Sequence, residues 1–183
     1  RDNFCGHRFD GDYGELPHGY DHKYVYSHLG YNLKVTDMQA AVGVEQLKKF
    51  PAFIERRREN WKYLREKLAP LSDKIILPEA AGDSDPSWFG FLISVRPESG
   101  LDRNIVTNYI EKHNVQTRLL FSGNLIKHPC FDEIRGTDAY RVIGNLTNTD
   151  FIVTNTFWIG VFPGMNKAKL DYMIHVITEA VNQ

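Results

Sequence analysis

From Thr36 onward, the apolar positions of the chain fall into alternating helical and strand periods. Thr36 and Gln39 have capping-box spacing, each side chain placed to satisfy a backbone donor at a helix start. Ala40, Ala41 and Gly43 keep one surface of that helix thin, so that another backbone can approach it. Pro51 interrupts the pattern and predicts a second helix, because proline fits a first helical turn. Phe53, Arg57, Trp61, Leu64 and Leu68 then recur at three- and four-residue steps and give one apolar face, and Pro70 ends the helix. The basic triplet Arg56-Arg57-Arg58 is flanked by Glu55 and Glu59 and reads as a solvated face.

Residues 74–77 and 88–95 have strand composition and are separated by the polar turn Gly82-Asp83-Ser84-Asp85-Pro86. Asp102 is placed to cap a helix over 103–113, in which Ile105, Val106, Tyr109 and Ile110 share a face. Residues 115–121 read as a strand, Asn148 or Thr149 as the cap of a short helix, and 157–161 as a buried strand. Asn166 caps a last helix whose core face is Leu170, Met173, Ile174, Ile177 and Val181. The expectation is an α/β domain over 36–183, one sheet with helices packed against it. Residues 1–35, rich in glycine, aromatics and histidine, show only the weak alternation of Tyr24, Tyr26 and His28. They read as an arm or loop lying on a larger body.

Composition narrows the function without naming it. The 183 residues suit one ordinary domain. With 22 basic and 23 acidic residues there is no sign of a nucleic-acid or anionic-membrane surface. No apolar run approaches the roughly 20 residues that span a bilayer, and no export signal is visible. Two distant cysteines, Cys5 and Cys130, favour a reducing cytoplasm over a disulfide framework. A start at Arg1-Asp2-Asn3-Phe4 without methionine, taken together with the resemblance described below, suggests the C-terminal piece of a longer chain.

Candidate chemistry concentrates at few positions. Arg118 stands at the end of a strand before a glycine turn, where a guanidinium can grip a carboxylate or phosphate with two hydrogen bonds; a surface salt bridge is the competing role. Asn124 and His128 follow in the next loop. Asn32, after Gly30 and Tyr31, offers an amide that donates to a phosphate oxygen without adding charge, or else closes an Asx turn. Trp88 and Phe89 open a strand, where aromatics commonly pack. Cys5 with His7, His18, His22 and His28 raises a zinc site, but Pro17 and Gly19 oppose the helix that would bring His18 and His22 together.

The run Gly30-Tyr31-Asn32 before the small-residue helix resembles the signature of the vitamin B6-dependent sugar aminotransferase and dehydrase family, on the aspartate aminotransferase fold. Further blocks carry the resemblance along the whole chain and narrow it to the dehydrase branch. They are Asp2-Asn3-Phe4-Cys5-Gly6-His7-Arg8-Phe9, Gly19-Tyr20-Asp21-His22-Lys23-Tyr24, Ser87-Trp88-Phe89-Gly90-Phe91, Thr117-Arg118-Leu119-Leu120-Phe121 and Leu146-Thr147-Asn148-Thr149-Asp150. The resemblance implies the C-terminal small domain of the type I pyridoxal-phosphate transferase fold over 36–183, with 1–35 an arm of the large domain. It implies that Asn32 reaches the cofactor phosphate of the other subunit of a homodimer. It places Phe89 beside cofactor and sugar, and Arg118 and Asn124 on the substrate side. Cys5 would be the last of four ligands to a [2Fe–2S] cluster, the other three preceding Arg1.

The implied cofactor is pyridoxamine phosphate. The implied substrate is CDP-4-keto-6-deoxyglucose, which loses its C3 hydroxyl in 3,6-dideoxysugar synthesis for the lipopolysaccharide O-antigen. A flavin/iron–sulfur reductase would supply the electrons. The aspartate against the pyridine nitrogen and the base belong to the N-terminal part, so no catalytic residue is assigned within 1–183 and the chain alone is expected to be inactive. An aminotransferase of the same family, with lysine as the base, is the nearest alternative. A non-enzymatic interaction domain that recruits a partner through its arm is another.

Overall fold

The computed structural model describes residues 9–21, 23, 25, 26, 28–31 and 33–183. The chain divides into two compact units, Arg1–Glu45 and Gln46–Gln183. In the first, the described residues before the helix form turns, with Leu16 N–H donating to the Tyr13 carbonyl and Tyr20 N–H to that of Pro17. Tyr26, Leu29, Tyr31 and Leu33 are exposed.

Helix α1 runs Asp37–Leu68. Its start is the expected capping box: Thr36 N–H donates to Gln39 Oε1 at 2.9 Å, and Gln39 N–H donates to Thr36 Oγ1 at 3.3 Å. Pro51 does not open a second helix; it sits inside α1. A proline forfeits one helical hydrogen bond and crowds the carbonyl four residues back. Here the stretches on both sides have their own reasons to be helical, the capping box before it and a buried face after it. That face is Asn60, Leu64 and Leu68, with Trp61 partly covered.

The second unit is built on a four-stranded antiparallel sheet in the order β1-β2-β4-β3, with β1 Ile75–Ile76, β2 Gly90–Val95, β3 Thr117–Leu119 and β4 Thr156–Gly160. Three further helices are α2 Arg103–Lys112, α3 Thr147–Asn155 and α4 Lys167–Val181. Asp102 caps α2 and Asn166 caps α4 through side-chain oxygens, as their positions predict. The start of α3 differs from expectation. Neither Asn148 nor Thr149 caps it; the cap position is Leu146, in the left-handed region at φ 50°, and Asn145 Oδ1 accepts from Thr147 N–H at 3.3 Å.

Alternation along the strands sorts the sheet into two faces. Phe91, Ile93 and Val95 of β2 and Phe157 and Ile159 of β4 are buried in the core with Leu64 and Leu68 of α1, Val106 and Ile110 of α2, and Ile177 of α4. Each such side chain contributes about 1.5–3 kcal/mol on burial. The other face carries Gly90, Leu92 and Ser94 across from Gly160, Trp158 and Thr156, and Arg118 across from Trp158. That second face positions the candidate site.

Candidate functional site

The second face is organised around Trp158. Gly90 makes room for it, because a Cβ there would lie 2.5 Å from the indole ring. The indole N–H donates to the Leu119 carbonyl at 3.0 Å, which fixes the ring against the edge strand β3. Phe89 lies 5.1 Å from Trp158 between ring centroids at a 48° tilt, and Phe121 lies 6.4 Å away at 41°. These separations suit tilted aromatic contacts. Phe121 holds φ 49°, a left-handed conformation that turns the chain out of β3.

Arg118 shares this face. A cavity of about 510 Å³ is lined by Phe89, Arg118, Leu119, Phe121 and Trp158. A second, of about 730 Å³, is lined in part by Arg118, Trp158, Gly160, Lys169 and Tyr172. Arg118 therefore borders both. No described residue forms a hydrogen bond or ion pair with its guanidinium, so a surface salt bridge does not occupy it. An aromatic-walled cavity with one uncommitted guanidinium can hold an anionic ligand that also carries a ring.

The structure thus brings Phe89 and Arg118 together. Asn124 lies elsewhere: only 4% exposed, it donates from Nδ2 to Asp150 Oδ1 at 2.7 Å, and Lys127 Nζ reaches the same oxygen at 2.7 Å. The Lys127 bond first, and the Asn124 bond second, hold the Asp150 carboxyl below its ordinary range. His128 Nε2 donates to the Ser122 carbonyl at 2.7 Å. Asn124 and His128 therefore tie the 121–128 loop to itself and to α3.

Trp88 packs flat on Trp61, with centroids 4.2 Å apart at 3°, which is the packing role open to it from sequence. Asn32, Cys5, His7 and His22 lie outside the described residues, and His28 is exposed. His18 pairs with Asp12 at 2.8 Å. Among the described residues no group of three or more His, Cys, Asp or Glu side chains could hold a metal, and Cys130 is an exposed free thiol.

Sequence reasoning missed Trp158 and Phe121. Reading 157–161 as one buried strand concealed a two-residue alternation in which Phe157 and Ile159 face the core and Trp158 faces away. The sequence signal was only the glycines at positions 90 and 160, each in or ending a strand; their pairing, which opens space on that face, is a matter of register.

The α/β architecture gives the class: it is similar to part of the fold of the pyridoxal-phosphate-dependent aminotransferases. The match to solved structures includes an Escherichia coli GDP-4-keto-6-deoxy-D-mannose-3-dehydratase with bound hydrated PLP, with a TM-score of 0.71 at 28% identity over 85% of this chain and 38% of that one. Residues 15–178 match the DegT/DnrJ/EryC1/StrS aminotransferase family, and the chain belongs to it. It is 49% identical over 97% of its length to the lipopolysaccharide biosynthesis protein RfbH of Salmonella typhimurium. It is 48% identical over 98% of its length to the dTDP-4-dehydro-2,6-dideoxy-D-glucose 3-dehydratase of Saccharopolyspora spinosa. The chain spans 40% and 38% of the lengths of those two relatives. No described helix is long and apolar enough to cross a membrane.

Proposed function

We propose that this chain is the C-terminal part of a CDP-6-deoxy-L-threo-D-glycero-4-hexulose 3-dehydrase, which removes the C3 hydroxyl of CDP-4-keto-6-deoxyglucose on the way to 3,6-dideoxysugars. The observation that carries the reading is the uncommitted Arg118 guanidinium, held between Phe89, Phe121 and Trp158 on the open face of the sheet. The relatives at 48–49% identity support the reaction class, one of them being named a sugar 3-dehydratase.

In this reading residues 1–35 are an arm of the large domain, and 36–183 the small domain. Arg118 grips the anionic part of the sugar nucleotide, while Phe89 and Phe121 shield the sugar from water and orient it. Asn32 donates to the cofactor phosphate across the twofold axis of a homodimer. The cavity residues suit pyridoxamine phosphate as a neighbour, since they offer aromatic walls and no competing carboxylate. When bound, that cofactor would supply an amine for the C4 carbonyl and a conjugated ring that releases, on loss of a cofactor proton, the electron pair with which the C3 hydroxyl departs. Asn124 acts on the substrate side through the loop it braces. Cys5 is one of four ligands to a [2Fe–2S] cluster that passes electrons from a flavin/iron–sulfur reductase. The described residues themselves offer Cys130 alone, which does not fit a cluster. The enzyme works in the cytoplasm.

Two measurements test the reading. The chain by itself, given pyridoxamine phosphate and substrate, produces no 3-deoxy product, and turnover would contradict the assignment of the base to another part of the enzyme. In the complete enzyme Arg118→Ala lowers kcat/KM about 10- to 100-fold, the range expected for losing a hydrogen-bonded charge worth about 1.5–3 kcal/mol. An unchanged kcat/KM would remove Arg118 from the site.

A further inference from the structure

Phe89 stands where the regular period of its strand would not put it. The β2–β4 ladder reaches it, because the Val161 N–H donates to the Phe89 carbonyl at 3.2 Å. Alternation would turn its side chain into the core with Phe91 and Ile93, as Val161 across from it is turned. The chain instead bends at Phe89, which is 63% exposed with its ring against Trp158 on the other face. The neighbouring Trp88 goes the opposite way. Its ring stacks on Trp61 of α1, and Trp61 also meets Phe91 at 5.7 Å on the core side.

Three side chains of α1, Arg58, Trp61 and Arg65, follow one another at three- and four-residue steps on one stripe of the helix. Together they hold the connection from β1 to β2. Arg65 Nε donates to the Pro78 carbonyl at 3.0 Å. Arg58 donates from Nε to the Pro86 carbonyl at 3.4 Å and from Nη2 to the Asp85 carbonyl at 3.1 Å, and it pairs with the Asp85 carboxylate at 2.8 Å. The Trp61 indole N–H is buried without a partner among the described residues, so this ring is kept for its faces and not for a hydrogen bond.

We infer that Trp61, supported by Arg58, is a positioning residue: through Trp88 it holds the bend that turns Phe89 out of the core and into the site. Neither Trp61 nor Arg58 lines the cavity of Phe89 and Arg118, so both act through Phe89 and not on the substrate. The inference rests on the proposed function for what Phe89 does there, which is to orient the sugar.

Steady-state kinetics of the complete enzyme test it through a double-mutant cycle between positions 61 and 89. Trp61→Leu should lower kcat/KM about 10- to 100-fold, mainly in kcat, because Arg118 still holds the anionic part of the substrate. Trp61→Phe keeps a ring on Trp88 and should recover most of the loss. In a Phe89→Ala background, Trp61→Leu should have little further effect. Thermal melts report whether each variant is folded, and should Trp61→Leu not fold, Arg58→Ala at the rim carries the same cycle. Full additivity with Phe89→Ala, or parental kcat/KM in the folded variant, overturns the inference. The underlying reading fails separately: if Phe89→Ala alone leaves kcat/KM unaltered, Phe89 does not orient the sugar. Hydrogen exchange then decides the bend. Faster exchange at Val161 in Trp61→Leu, with the rest of β4 still protected, shows that Trp61 holds it, and unchanged exchange at Val161 shows that it does not.

Discussion

Gly90 and Trp158 act as a pair across the two central strands. A methyl group at position 90 would sit within 2.5 Å of the indole, so either the ring or the strand must move. Overpacking of this kind costs about 1–3 kcal/mol. Gly90→Ala should therefore lower the melting temperature by several degrees and shift the Trp158 fluorescence. A variant that melts and fluoresces like the parent would show that the ring is not held where the structure puts it. Asn60 is a second such position: it is 1% exposed and donates from Nδ2 to the Phe162 carbonyl at 2.9 Å. Asn60→Leu strands that carbonyl at a cost of about 1–3 kcal/mol, readable as a lower denaturant midpoint. Asp150 gives a pH signature. Its folded carboxyl titrates below the ordinary value of 3.8 because of Lys127 and then Asn124. Its contribution is thus present above 3.8 and fades as the pH falls through the lower folded value. Lys127→Met should move acid unfolding to higher pH, and an unmoved acid limb would mean that the Lys127 contact does not brace the loop.

At the scale of elements, what was legible in the sequence was local. The capping box of Thr36 and Gln39, the Asp102 cap and the Asn166 cap each involve partners within three residues, so spacing alone specifies them. The positions of the strands and the core face of α4 follow from period for the same reason. Three features were not legible because distant contacts decide them. Pro51 stays helical since the helix on its far side is docked through Asn60, Leu64 and Leu68. Leu146 takes φ 50° where Asn124, Lys127 and Asp150 tie the loop to α3. Trp158 faces the site only because of its register with Gly90's strand and with Arg118. Pro51→Ala restores a backbone donor in an exposed helix, so it should raise stability by up to about 3 kcal/mol and increase amide protection around residue 51. Loss of stability would instead assign the proline a packing role. Between α1 and α4, the Tyr63 hydroxyl and Lys167 both bond Asp171, and Lys167 is pushed up to about 12. That tie holds fully below 10.5 and is lost as the pH rises through about 12.

At the scale of the molecule, the chain accounts for about two fifths of the length of its relatives. The apolar side chains exposed along 26–53, among them Tyr26, Tyr31, Met38, Leu47 and Phe50, are more than scattered surface hydrophobics and suit burial against further protein. The proposed homodimeric dehydrase supplies such a surface, with Asn32 completing a phosphate site in trans. The resemblance in the Gly30-Tyr31-Asn32 stretch carried this expectation, which lies outside the described residues. The central claim is that the complete enzyme removes the C3 hydroxyl and does not transfer an amine. Its most direct test is mass spectrometry of the product made from CDP-4-keto-6-deoxyglucose with pyridoxamine phosphate, a flavin/iron–sulfur reductase and its electron donor, in the presence of glutamate. The account predicts a 3-deoxy sugar nucleotide that has lost one oxygen and gained no nitrogen, whereas a 4-amino sugar nucleotide retaining its C3 hydroxyl would contradict it.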